Sequence, residues 1–138
     1  MRDEPIKVLL VEDNPGDARL IREMLKEAAA AQFELVHVVL LDEALKLIGE
    51  ASFDVLLLDL TLPDSQGLDT FFRVYSQAPD VPIVVLTGLA DEVVGVESVK
   101  GGAQDYLVKG QVGSYLLARA LLYAIERKQA EERLQESK

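Results

Sequence analysis

Residues 53–67 read Phe-Asp-Val-Leu-Leu-Leu-Asp-Leu-Thr-Leu-Pro-Asp-Ser-Gln-Gly. The apolar run from Val55 to Leu58 is too short for a helix and lacks alternation, the pattern of a strand buried on both faces of a parallel sheet. It stops on a carboxylate, Asp59, after which Pro63 and Gly67 force a loop. Ligands of open α/β sheets bind in the crevice beyond the carboxyl ends of the strands. Asp59 is therefore placed for chemistry.

The same grammar recurs along the chain. Ile6 to Val11 is a second short apolar run, and it ends on Glu12 and Asp13. Asn14-Pro15 reads as a helix N-cap with proline at the first helical position, and Leu20, Ile21, Met24, Leu25 and Ala28 supply an apolar face to about Ala30. Phe33 to Val39 is β-rich, and Asp42 to Ala51 has helical apolar spacing. Leu68 to Gln77 is a helix stopped by Pro79, and Ile83 to Leu86 is a strand that ends at Thr87-Gly88. Asp91 to Lys100 is a helix weakened by Gly95 and closed by Gly101-Gly102. Ala103 to Val108 is the last strand, ending at Lys109-Gly110, and Ser114 caps a long final helix. Five strands alternating with five helices through short connections define one doubly wound α/β domain with a parallel sheet.

Composition narrows the function. A chain of 138 residues, 49% hydrophobic, can bury a full core without staples. No run approaches a membrane span, and the charged start is followed by no apolar signal-peptide core. With no cysteines and no sign of secretion, a soluble cytoplasmic protein is expected. The formal charge of −10 argues against direct nucleic-acid binding, which requires clustered Lys and Arg.

The final helix is unusual. Leu116, Ala120, Tyr123, Arg127, Ala130 and Leu134 recur at spacings of four and three, while residues after Glu126 are mostly Glu, Arg, Lys and Gln. Its first half covers the sheet and its second half has no core to face. The helix projects, as half of a coiled-coil dimer or as a connection to a further domain. The bland alternative is a solvated, frayed tail.

Four strand ends supply Glu12 and Asp13, Asp59, Thr87 and Lys109, and in a parallel sheet these converge on one edge. Two carboxylates about 6 Å apart repel by roughly 3 kcal/mol at an effective dielectric of about 20, which one lysine cannot offset for three. A divalent cation can, and an all-oxygen site open to water suits Mg²⁺. No Gly-x-x-x-x-Gly-Lys-Ser/Thr loop and no Gly-x-Gly-x-x-Gly follows the first strand, so the nucleotide cradles are absent. His37 is read as a plain strand residue away from these ends, which excludes a Ser-His-Asp arrangement. There remains an aspartate able to attack phosphorus, with Mg²⁺, Lys109 and Thr87 around the transferring group.

Val-Glu-Asp-Asn after strand one, Leu-Leu-Leu-Asp-Leu-Thr-Leu-Pro-Asp-Ser-Gln-Gly at strand three, Leu-Thr-Gly at strand four and Asp-Tyr-Leu-Val-Lys-Gly at strand five, in that order, resemble a CheY-like receiver domain of two-component response regulators. The resemblance spans Ile6 to about Arg127. It implies a flavodoxin-like fold with strand order 2-1-3-4-5, a receiver over residues 1–127 and a helical extension over 128–138. It implies Asp59 as phosphoacceptor, Mg²⁺ held by Asp13, Asp59 and the Thr61 carbonyl with Glu12 helping through water, and Thr87 and Lys109 on the phosphoryl group. Tyr106 matches the switch aromatic that turns inward with Thr87. The implied partners are a histidine kinase or phosphotransfer protein and an output not yet named. The implied role is that of a phosphoacceptor assisting its own phosphorylation and dephosphorylation, not of an enzyme with an external substrate.

Two departures stand out. Gly110 follows Lys109 where many receivers have a cis proline, so a trans bond is expected. Thr61 and Leu89 occupy the positions that influence dephosphorylation, and Leu89 is expected to shield the phosphate and lengthen its lifetime. Among rivals, a phosphohydrolase would commonly carry a second aspartate where Thr61 stands. A phosphorylation-independent pseudo-receiver is disfavoured by the intact acidic site. A receiver cut from a longer kinase or cyclase fits the trailing helix. Asp64 is left without a role.

Overall fold

The computed structural model describes residues 4–136. Met1 to Asp3 of the charged start and Ser137 and Lys138 of the extension lie outside the described residues. Strands β1 (Ile6–Val11), β2 (Phe33–Val38), β3 (Val55–Asp59), β4 (Ile83–Thr87) and β5 (Asp105–Val108) alternate with helices α1 (Pro15–Glu27), α2 (Leu41–Glu50), α3 (Leu68–Gln77), α4 (Glu92–Gly101) and α5 (Ser114–Glu136). The sheet order is β2-β1-β3-β4-β5 and every pairing is parallel, as expected.

Helices on both faces explain why the strands read as unbroken apolar runs. The alternation survives in the partners. Ile6, Val8 and Leu10 of β1, with Val55, Leu57, Val84 and Leu86, pack under α1 and α5 through Ile21, Leu25, Leu117 and Leu121. Leu9 and Val11, with Leu56, Leu58, Ile83 and Val85, pack under α2 and α3 through Leu41, Ala44, Phe71 and Val74. Central β3 is buried throughout, whereas edge strand β2 is only half-buried, which is why its pattern alternates poorly.

Several boundaries move. Helix α1 stops at Glu27, not Ala30, because Ala28 turns into extended backbone. Residues Leu89–Asp91 form a 3₁₀ turn ahead of α4, and β5 starts at Asp105. Thr61–Leu62 and Ser65–Gln66 pair as a small antiparallel hairpin. Strands this short around Pro-Asp leave no periodicity to read, so they look like loop.

The C-terminal helix turns only part of its four-and-three stripe outward. It is continuous to Glu136, but Ala120 is buried in the domain's own core. Arg127 turns back onto β5, donating from Nη2 to the Gln104 carbonyl (2.9 Å) and from Nε to Gln104 Oε1 (3.2 Å), while Gln104 Nε2 donates to Glu131 Oε2 (3.3 Å). Leu116, Tyr123 and Leu134 stay exposed. Neither is Ser114 a cap: it opens the helix, and its hydroxyl donates to Glu27 Oε2 at 2.9 Å.

Candidate phosphoryl-transfer site

Each strand delivers its last residues to one edge of the sheet. Register places Asp59 beside Leu86 and Thr87 beside Val108, so the ends of β3, β4 and β5 step together toward Lys109. After β1, Glu12 and Asp13 are held by the start of α1. The Asn14 amide donates to Glu12 Oε2 (3.1 Å), and Asn14 Oδ1 accepts from the Asp17 amide (3.0 Å), the N-cap that the sequence announces.

Ligand oxygens of Glu12, Asp13 and Asp59 all lie within 4.8 Å of one another, with Glu12 and Asp59 buried and Asp13 exposed. Lys109 Nζ reaches into the group, 2.7 Å from Glu12 Oε1 and 2.9 Å from Asp59 Oδ2. Burial first, and then the hydrogen bond and charge of Asp59, push the Glu12 carboxyl up to about 8, against the pull of Lys109 and the Asn14 amide. Desolvation pulls the Lys109 ammonium down, but Glu12 and Asp59 outweigh it and hold the ammonium above its ordinary value. A buried carboxylate pair that one cation leaves under-neutralised, beside an exposed third oxygen donor, is a donor set suited to a hard divalent ion. These residues could hold a metal.

Thr87 is buried, and its Oγ1 meets no hydrogen-bond partner among the described residues. Buried hydroxyls are normally paired. At the end of β4, beside Asp59 and Lys109, it is a donor ready for an oxygen added to the site. The Thr61 amide donates to Asp59 Oδ1 at 3.1 Å, fixing the carboxylate from the loop side. The Lys109–Gly110 peptide is trans, and Gly110 takes φ +85°. Leu89, the expected shield, lies exposed on the 3₁₀ turn.

Tyr106 on β5 is half-buried against α4. A Cβ built at Gly95 would come within 2.9 Å of Tyr106 Cδ2 and 3.1 Å of Thr87 Cγ2. Glycine inside a helix costs roughly 0.5–1 kcal/mol relative to alanine. Here the missing side chain lets the ring and the Thr87 methyl approach α4.

Three residues gain roles that sequence reasoning missed. His37 is not remote: its Nε2 lies 2.7 Å from the Glu12 carbonyl, because β2 runs level with β1 to the same edge. Asp64 is the missing cap of α2. The N-cap residue there is Leu40, which has no acceptor, and Asp64 reaches across to accept from the amides of Leu41 (2.9 Å) and Asp42 (3.0 Å). Slight desolvation pushes its carboxyl up, but those two amides, with its own amide and the charge of Arg73, outweigh the effect and hold it below its ordinary value. Asp17, the third carboxylate on Lys109, lies 3.2 Å from Nζ. Its place four residues after Asp13 was the available signal, but an acid in a helix's first turn also reads as an ordinary dipole partner. A mostly apolar groove of about 600 Å³ between Ala28–Ala30 and Tyr115, Leu122 and Tyr123 shares no residue with the site.

A doubly wound parallel sheet with two buried acids, an orphaned hydroxyl and a lysine at one edge defines the class of α/β proteins that handle phosphoryl groups at strand ends. The chain belongs to the response regulator receiver domain family of two-component signal transduction, whose sequence profile matches residues 8–120. It is 37% identical over 100 residues to the regulatory protein LuxO of Vibrio cholerae, covering 72% of this chain and 21% of that protein. To the cell cycle transcriptional regulator CtrA of Caulobacter vibrioides it is 32% identical over 123 residues, covering 89% of this chain and 51% of the relative. The chain thus spans between about a fifth and a half of these two proteins. Among solved structures, the receiver domain protein of Clostridium thermocellum superposes with a TM-score of 0.79 at 27% identity, covering 91% of this chain and 98% of that one. The signal receiver domain of a LuxO repressor from Vibrio parahaemolyticus shares the fold with the same TM-score at 24% identity, covering 95% and 98%. No helix among the described residues is long and apolar enough to cross a membrane.

Proposed function

We propose that Asp59 accepts a phosphoryl group from the phosphohistidine of a histidine kinase or phosphotransfer protein, and that the added charge switches a partner-binding surface. The observation that carries this reading is the convergence at Asp59 of Lys109 Nζ at 2.9 Å and the unpaired, buried Thr87 hydroxyl. An Asp59 carboxylate oxygen attacks phosphorus, the phosphorus–nitrogen bond breaks, and its electron pair leaves with the imidazole. Lys109 donates to the developing oxyanion charge, the Thr61 amide keeps the carboxylate aimed, and Thr87 turns its hydroxyl to a phosphoryl oxygen. Asp13 and Asp59, the Thr61 carbonyl and, through water, Glu12 would hold Mg²⁺, which when bound supplies charge neutralisation for the transferring group.

A phosphoryl group of charge about −1.5 to −2 that draws Thr87 in would vacate space next to Gly95 for Tyr106 to follow. The surface so altered is α4, β5 and α5, where Val93 and Val96 are exposed apolar side chains, with Leu89 exposed on the turn ahead of α4. The receiver would occupy residues 1–127, with 128–138 as an extension that pairs with a second copy or leads to an output domain. That the chain covers 21% and 51% of two relatives supports the reading as one module of a longer signalling protein, and a cytoplasmic place is part of the proposal. Incubation with Mg²⁺ and acetyl phosphate, followed by intact mass measurement, should show one added phosphoryl group on the wild type and none on Asp59→Asn. A wild type of unchanged mass would leave a phosphorylation-independent interaction module.

A further inference from the structure

The chemistry proposed for Asp59 leaves one charged contact of the site without a task. Lys109 carries three ammonium protons, and three carboxylates from three elements surround it: Glu12 Oε1 at 2.7 Å, Asp59 Oδ2 at 2.9 Å and Asp17 Oδ2 at 3.2 Å. Asp17 stands outside the group of Glu12, Asp13 and Asp59 that could hold a metal. It sits in the first turn of α1, where Pro15 and the Asn14 cap fix the backbone, and its own amide is bonded to Asn14 Oδ1.

The backbone of Lys109 is tied to the end of β4, its amide donating to the Thr87 carbonyl at 2.8 Å, but its long side chain is aimed by the three carboxylates. Lys109 is followed by Gly110 at φ +85° and soon after by Gly113, and a side chain added at either glycine would meet nothing within 4 Å. No side chain at either glycine packs against the lysine from behind. Glu12 and Asp59 are the carboxylates whose charge and partners change when a phosphoryl group arrives. Asp17, on a rigid helix, keeps its place.

We propose that Asp17 is a positioning residue, a helix-borne anchor that holds the Lys109 ammonium over Asp59 during phosphoryl transfer. This rests on the reading of Asp59 as phosphoacceptor. A misaimed ammonium forfeits stabilisation of charge that develops in the transition state, while the bound donor is little affected. Loss of the Asp17 negative charge, by itself, would favour binding of an anionic donor. The two effects act on different constants, which makes them separable.

The test compares wild type, Asp17→Asn and Asp17→Glu by intact mass over time, across acetyl phosphate concentrations at fixed Mg²⁺. Asp17→Asn should lower the saturating rate of Asp59 phosphorylation at least about fivefold, with half-saturation unchanged or lower, and Asp17→Glu should recover most of the rate. In metal-free protein, nitrogen-15 spectra of the Lys109 ammonium should show faster proton exchange in Asp17→Asn than in wild type. A purely helix-stabilising acid would change urea stability and leave both the saturating rate and the ammonium signal alone. Equal saturating rates, or an unaltered ammonium, would overturn the proposal. A wild type that takes no phosphoryl group overturns the Asp59 reading itself, and this one with it.

Discussion

Glu12 is the residue at which burial and charge are most opposed. Its carboxyl, raised from 4.5 to about 8 in the folded chain, binds a proton more tightly than it does in the unfolded chain. The sign follows from linkage: its contribution to stability is full below about pH 4.5, declines as pH rises and is lost above about pH 8. Glu12→Gln keeps the shape and cannot ionise, so metal-free urea melts at about pH 5 and about pH 9 should differ less in the variant than in the wild type. Equal pH slopes would refute the shift. Asp59, Thr87 and Lys109 were legible because each ends a buried apolar run. Asp17 and His37 were not, because their contacts cross from a helix and from an edge strand, and nothing in a linear spacing says which neighbour a side chain meets.

At the level of elements, the loop after β3 does more than present Asp59. Helix α2 begins at a leucine N-cap, and Glu43 Oε1 covers only the amides of Val39 (3.2 Å) and Leu40 (3.1 Å). The next two amides depend on Asp64, from a loop more than twenty residues away in sequence. Asp64→Ala should cost about 0.5–1 kcal/mol and speed hydrogen exchange at Leu41 and Asp42 selectively, as measured by amide exchange. Unchanged protection at those two amides would mean that the cap contributes nothing. Helix α5 makes a similar point. Spacing suggested a short seam interrupted at Arg127 on a helix whose first half covers the sheet; Ala120 does serve the core, and Arg127 is tied to Gln104, leaving only part of the stripe outward.

Over the whole molecule, stability rests on β3 packed between two helical layers. Leu57 is fully buried toward α1 and α5. Leu57→Ala removes those contacts where a close-packed layer cannot collapse, so denaturant unfolding should show a loss of about 2–5 kcal/mol. The doubly wound sheet, its five strands and the carboxylates, hydroxyl and ammonium at its edge were all determined by the sequence alone. They follow from local quantities: unbroken apolar runs that demand cover on both faces, a polar residue at the end of each run, and the rule that parallel strands present their ends together. Which groups share a proton or a partner was decided only by the tertiary structure. The third carboxylate on Lys109, His37 against the Glu12 carbonyl, the Asp64 cap and the fit of Tyr106 against Gly95 are distances between residues far apart in the chain. Such distances are set by how the helices seat on the twisted sheet, and no periodicity along the chain encodes them.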